Sequence, residues 1–159
     1  KAGVTSDKVP TISFSMTEQE LSNLSPKEIA GDYAAWNYFE FVDRPQNRDF
    51  VERFRTRYRQ QRFTSDPMEA AYTSLWLWKG MVEKAESFDV DDVIEAADGV
   101  SYDAPEGTVT VNGDNHHIAK TTLIGEIQPD KLIKTVWSSD GPIEPDPFLE
   151  GYDWWDPSA

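Results

Sequence analysis

Apolar and polar positions change their period once along this chain, near Gly99. Before it, helical spacings alternate with short apolar runs. After it, apolar residues recur every second position. Val9 to Ser15 predicts a short strand, with Pro10 near its start, where a missing donor is tolerated. Thr17 and Glu20 have capping-box spacing, so a helix is expected from Glu18. Ser25-Pro26-Lys27-Glu28 repeats the signal, with Pro26 at the first helical position, and Gly31 ends this helical pair. Asp32 to Phe41 is aromatic-rich and mostly apolar, as in a strand buried on both faces. Phe50, Phe54 and Tyr58 at spacing four predict a helix over 46–60. The next helix is expected from Asp66, as cap, to about Ala85, with Pro67 in its first turn and Glu69 closing an Asp-x-x-Glu box. Met68, Ala71, Tyr72, Leu75, Trp78 and Val82 share one face of it, and one of Trp76 and Trp78 should be core. Asp89 caps a short helix through Ala97, with Gly99 as its stop. Strands follow at 100–102, 108–111, 118–127 and 131–138, with turns at Pro105-Glu106-Gly107, Asn112-Gly113 and Pro129-Asp130. The fold class implied is α/β: a parallel sheet flanked by helices, then an antiparallel β-meander.

At 159 residues the chain has the length of one domain and can bury a core. No apolar run approaches the ~20 residues that span a bilayer. Lys1 to Thr5 does not read as an export signal, so for an exported protein the signal is expected upstream. The net charge of −14 argues against nucleic acid as a partner, because phosphate binding needs clustered cations. Residues 85–159 carry seventeen Asp or Glu against three Lys and no Arg. The cations cluster instead around one helix: Arg44, Arg48, Arg53, Arg55, Arg57, Arg59 and Arg62. They form either a solvated face with Asp49 and Glu52 as partners or a docking surface for an anion. The absence of cysteine excludes disulfides and thiolate metal sites and leaves the compartment open.

Candidate chemistry is sparse. Ser15 lacks the surroundings of a nucleophile elbow, and no phosphate loop or dinucleotide fingerprint is present. No cofactor is expected. His116 and His117 would point to opposite faces of a strand. With Asp114 one of them could hold a cation, but Asn112 to Asn115 read equally as a turn. The passage from the first strand into the first helix is richer. In open α/β sheets ligands bind at strand carboxyl ends, where helix N-termini offer free N–H groups. Ser15, Thr17 and Glu18 stand there. Glu18 suits an NH2-bearing ligand, because an ionised carboxylate only accepts hydrogen bonds. Thr17 and Glu18 could equally be cap and dipole partners. Trp36 and Tyr38 lie near the end of the second strand and could wall a small-molecule pocket or pack the core.

Several long runs carry a family likeness. They are Val9-Pro10-Thr11-Ile12-Ser13-Phe14-Ser15 with Glu18-x-Glu20-Leu21, Ile29-Ala30-Gly31-x-Tyr33-Ala34-Ala35-Trp36-Asn37-Tyr38-Phe39, Thr64 to Tyr72, and Asp103-Ala104-Pro105-Glu106-Gly107 with the segment to Pro147. Together they resemble the C-terminal part of the urea and short-chain-amide receptors of ABC importers, which are bilobed periplasmic binding proteins of type I, like the branched-chain amino-acid receptors. The resemblance implies a non-enzymatic solute receptor, periplasmic or membrane-associated outside the cytoplasm. It would close on urea or a short amide and present it to a permease. Ser15, Thr17 and Glu18 would line the crevice, with Trp36 and Tyr38 beside them. Residues 1–43 would form a strand-helix-strand portion of the second lobe. Residues 44–99 would be helices returning toward the first lobe, 100–139 the second lobe's β-meander, and 140–159 an acidic, aromatic tail. The likeness covers less than half of such a receptor. The chain alone is therefore expected to bind ligand poorly, and to self-associate or join a companion that supplies the first lobe. The alternative is an amide sensor of the same fold that binds a regulatory protein.

Overall fold

The structure is a computed structural model and describes residues 4–147. Its main sheet has four strands in the order β1-β2-β5-β6. β1 (Ile12–Ser13) pairs parallel with β2 (Tyr33–Trp36), placing Ile12 opposite Tyr33. The crossover between them carries two one-turn helices, α1 (Glu18–Leu21) and α2 (Pro26–Ile29), at the positions their caps predict. α3 (Pro45–Tyr58), α4 (Asp66–Ala85) and α5 (Val90–Glu95) follow. Asp89 caps α5 by accepting the Asp91 N–H, and Gly99 adopts a left-handed φ of 71° just beyond it, as a helix stop requires.

The antiparallel second half is present, divided between two sheets rather than running as one meander. β3 (Ser101–Asp103) and β4 (Thr108–Thr110) form a hairpin of their own. β5 (Lys120–Ile127) instead pairs with β2, and β6 (Ile133–Ile143) with β5. β2 thus has a neighbour on each side within this chain, and β1, paired only with β2, is left as the edge of the sheet. Both early strands are also shorter than expected. The chain leaves the sheet after Trp36, and Tyr38, Phe39 and Glu40 are buried in a loop. An apolar run reports burial, and burial here comes without a ladder.

Two small cores result. Leu21, Ala34, Phe39, Ile127 and Ile133 pack on one face of the main sheet. Leu77, Ala97, Val100, Ala104, Val109 and Val111 join α4 and α5 to the hairpin. The expected apolar face of α4 is not the buried one. Leu75 and Trp78 are exposed, while Glu69, Thr73 and Leu77 turn inward. Two of these inward residues are polar and satisfy each other, Thr73 Oγ1 donating to Glu69 Oε1 at 2.7 Å, so an apolar pattern could not find them. Trp76 stacks on Tyr102 with centroids 5.7 Å apart. Asp66 is the first helical residue rather than the cap, which is Ser65.

Gly125 marks the tightest contact between strand and core. A Cβ there would lie 2.2 Å from Ile133 Cγ2 and 2.9 Å from the Phe39 ring. Ile133 is stiff at χ1 and Phe39 is buried, so neither can yield cheaply. Gly125→Ala is expected to destabilise the fold by ~1–3 kcal/mol, the range for overpacking. An unchanged midpoint in guanidinium denaturation would contradict this packing.

Candidate functional site

The carboxyl ends of the parallel strands β1 and β2 open into two adjacent loops, 14–17 and 37–40. Trp36 ties them together, its Nε1 donating to the Met16 carbonyl at 2.8 Å. Glu18 ties them a second time, its Oε1 accepting the Glu40 N–H at 2.9 Å. Four of the five residues expected from sequence therefore meet here, and they do different things. Ser15 is exposed beside the first loop. Thr17 is spent as the cap of α1, where the Glu20 carboxylate accepts its N–H at 2.9 Å. Trp36 is half-buried and structural through its indole N–H. Glu18 is 1% exposed, and its second oxygen, Oε2, is buried with no hydrogen-bond partner among the described residues.

Tyr38 stands apart from these four. It is fully buried, and its hydroxyl donates to Asn47 Oδ1 at 2.8 Å and lies 2.9 Å from Thr64 Oγ1. Burial raises its pKa well above the ordinary phenol value. It braces the 37–40 loop from below rather than facing the crevice.

Pattern reading missed most of the charged groups at this site. Asp66, at the N-terminus of α4, accepts the Asn37 N–H at 3.0 Å, and the Asn37 amide donates to the Thr121 carbonyl at 2.9 Å. This clips α4 and β5 onto the end of β2. Glu40 is 2% exposed and is held by the Arg55 guanidinium and by the N–H and hydroxyl of Thr64. Glu69 is fully buried with Oε2 unpartnered among the described residues. Glu106, from the Pro105-Glu106-Gly107 turn, lies 2.9 Å from Lys120 Nζ. Asn37, Glu106, Lys120 and Thr121 line a cleft of about 20 Å³, room for about one water. A sequence signal existed in Thr64 to Tyr72 and around Glu106, which lie in runs that carry the family likeness.

Five carboxylates, Glu18, Glu40, Asp66, Glu69 and Glu106, thus share this end of the sheet with two cations, Arg55 and Lys120. Burial pushes the Glu18 carboxyl up to about 7; the Glu40 N–H opposes the shift, and the Glu40 and Asp66 charges add to it. Burial also pushes Glu106 up to about 7, with Glu69 adding and Lys120 opposing. Glu40 and Glu69 move upward for the same first reason. Chemically the cluster is rich in acceptors and poor in positive charge, which favours N–H donors over anions.

His116 and His117 lie in a turn, not on a strand. Asp114 N–H donates to Asn112 Oδ1, His116 has a φ of 57°, and His117 Nδ1 sits 2.6 Å from the Asn115 carbonyl. Among the described residues no group of three His, Cys, Asp or Glu comes together to hold a metal ion. The arginine face is largely solvated: Arg53 pairs with Asp49 and Arg48 with Asp43 in the open. Two are drawn in: Arg55 turns onto the buried Glu40, and the half-buried Arg44 reaches Asp103 at the end of β3.

Two parallel strands whose carboxyl ends meet in adjacent polar loops, with antiparallel strands completing the sheet, make this a mixed α/β fold. The chain belongs to the periplasmic binding protein domain family, whose model matches residues 1–153. Among solved structures it is similar to the solute-binding protein of an ABC transporter from Rhodopseudomonas palustris HaA2 in complex with p-hydroxybenzoic acid. The TM-score is 0.78 at 23% identity, covering 92% of this chain and 41% of that one. It is also similar to the amino acid ABC transporter substrate-binding protein of Pseudomonas fluorescens Pf-5, with TM-score 0.74 and 21% identity over 88% of this chain and 39% of that one. Among curated proteins it is 29% identical over 126 residues to a limonene hydroxylase of Geobacillus stearothermophilus, covering 79% of this chain and 23% of that protein. The chain spans about two-fifths of the length of these structures and under a quarter of the curated relative. Among the described residues no helix is long and apolar enough to cross a membrane.

Proposed function

We propose that this chain is the C-terminal part of a periplasmic solute receptor for an ABC importer, and that it supplies one wall of a site for urea or a short-chain amide. The observation that carries the reading is Glu18: a buried carboxylate at a strand end, one oxygen held by a backbone N–H and the other unpartnered. An unpaired buried acceptor is costly until a donor reaches it. Urea and primary amides bring N–H donors and no charge. The same cluster disfavours carboxylate ligands, since at a pH where its raised carboxyls are ionised they outnumber the two cations. This separates the proposed ligand from the hydroxybenzoate and amino acids named for the structural neighbours.

In this reading residues 1–43 and 100–139 belong to the second lobe and 44–99 return toward the first; of the expected tail 140–159, residues 140–143 instead extend β6 against β5, and residues 148–159 lie outside the described residues. Ser15, exposed at the crevice edge, and Glu18 face the ligand. Thr17 and Trp36 hold their loops, and Tyr38 braces from below. The first lobe supplies the opposite wall, the permease takes the closed form, and the ligand leaves unaltered.

Titration calorimetry of the full-length receptor with urea, acetamide, benzoate and leucine tests this. Heat with the first two alone supports it, and binding of the acids alone contradicts it. The 159-residue chain by itself is expected to bind urea far more weakly. Even the best tiny ligands gain only ~1.5 kcal/mol per heavy atom, and that requires contacts all around them. Micromolar urea affinity for the isolated chain would mean that the pocket needs no second wall.

A further inference from the structure

We propose that Asn47, on α3, is the positioning residue for Glu18: it fixes the backbone on either side of Glu40, whose N–H holds one Glu18 oxygen and leaves the other free to meet a ligand. The inference rests on the urea or amide reading of the site.

Asn47 is 2% exposed, and its side chain reaches three groups. Its Nδ2 donates to the Glu40 carbonyl at 2.7 Å and to the Val42 carbonyl at 2.8 Å. Its Oδ1 accepts the Tyr38 hydroxyl at 2.8 Å. All three partners lie in the irregular segment between β2 and α3, which has no ladder to hold it. Asn47 replaces that ladder: one buried amide sets the course of the backbone from Tyr38 to Val42. Glu40 sits in the middle of that course, its carbonyl bonded to Asn47 and its N–H to Glu18 Oε1 at 2.9 Å. Val42 adds a local turn by donating to the Phe39 carbonyl at 3.1 Å. Asn47 makes none of its three bonds to Glu18, so it acts on that carboxylate through the backbone at Glu40.

The charged and titratable groups around Glu18 are Glu40 and Tyr38 from the loop, Asp66 and Glu69 from α4, and Arg55 from α3, which pairs with Glu40. Apart from its own helix backbone, the Glu40 N–H is what favours the ionised form of Glu18, while Glu40 and Asp66 disfavour it. Loosening the backbone at Glu40 removes stabilisation from the ionised form alone, so the Glu18 midpoint rises and less carboxylate is present at neutral pH to accept an amide N–H.

The test is a 13C-carboxyl NMR titration of the full-length receptor, the Glu18 signal assigned by its loss in Glu18→Gln, with urea and acetamide affinities measured alongside from pH 6 to 9. Asn47→Ala is expected to raise the Glu18 midpoint by about half a pH unit or more. It should weaken amide binding about twofold or more at pH 7, with recovery toward the parent at pH 9. A loss of affinity equal at all pH values with an unmoved Glu18 midpoint would overturn the proposal. Where Asn47→Ala fails to fold, Tyr38→Phe removes only the hydroxyl that orients Asn47; it should move the midpoint the same way by less, and no movement overturns the proposal. A midpoint that moves in a receptor binding neither amide would uphold the positioning role and refute the ligand class.

Discussion

Arg55→Ala is expected to cost this fold about 3 kcal/mol. Glu40 is 2% exposed, and its carboxylate is held by the Arg55 guanidinium and two donors of Thr64. Breaking a buried ion pair from one side leaves an uncompensated charge, which typically costs ~3–5 kcal/mol. The lower end applies because the Arg55 side chain is 29% exposed and water can partly replace it. Arg55→Lys should recover only part of the loss, since an ammonium cannot reproduce the planar fork. The control is Arg53→Ala: Arg53 pairs with Asp49 in the open, and its loss should cost under ~1 kcal/mol. Guanidinium denaturation of both variants decides the matter. Equal effects would mean that Arg55 is one more solvated arginine of α3.

The second large effect is a stability that falls as pH rises. Burial pushes Glu18 and Glu106 up to about 7 from the ordinary carboxyl value of about 4.5. Glu40 and Glu69 move the same way. A carboxyl whose folded pKa exceeds its unfolded pKa binds more protons when folded. Its contribution is therefore fully present below about 4.5 and is lost as pH climbs through about 7. By linkage Glu18 and Glu106 each forfeit up to ~3 kcal/mol between pH 4.5 and pH 8. Glu20 works in the other direction. Its pKa is lowered by the Thr17 cap despite some burial, so its stabilisation is lost as pH falls below 4.5. Stability should therefore peak near pH 5, and thermal unfolding should begin several degrees lower at pH 8 than at pH 5.5. A Tm that rises steadily from pH 5.5 to pH 8 would contradict the burial of these carboxylates.

These effects arise where the sequence was hardest to read. Caps and proline positions placed α1, α2, α4 and α5 to within a residue or two, because those signals are local. The spacing of Phe50, Phe54 and Tyr58 did the same for α3. The hairpin and the long strands after Gly99 were legible from alternation and turn residues. Trp36 to Phe41 was not: an apolar run can be a buried strand or a buried loop, and only the long-range contacts of Tyr38 with Asn47 and Thr64 decide which. The inward face of α4 was hidden because Glu69 and Thr73 look like surface residues until they are seen bonded to each other. Arg55 was lost among the arginines beside it for the same reason, since its buried partner lies fifteen residues away. Of the site, the strand-end position of Glu18 was legible. The acceptor cluster behind it was not, because burial, not residue type, gives those carboxylates their character.

Glu18→Gln in the full-length receptor tests the central claim most directly. The substitution keeps size and removes charge, and with its single amide oxygen accepting the Glu40 N–H, the NH2 group takes the place of Oε2 and faces the ligand. Calorimetry at pH 8 is expected to show urea or acetamide affinity weakened by ~1–3 kcal/mol, the range for a charge-assisted hydrogen bond lost on one side. The variant should be at least as stable as the parent at that pH, because a strained buried carboxylate has been removed. Unchanged affinity would show that Glu18 is a buried structural acid at the end of the sheet and not the ligand's acceptor.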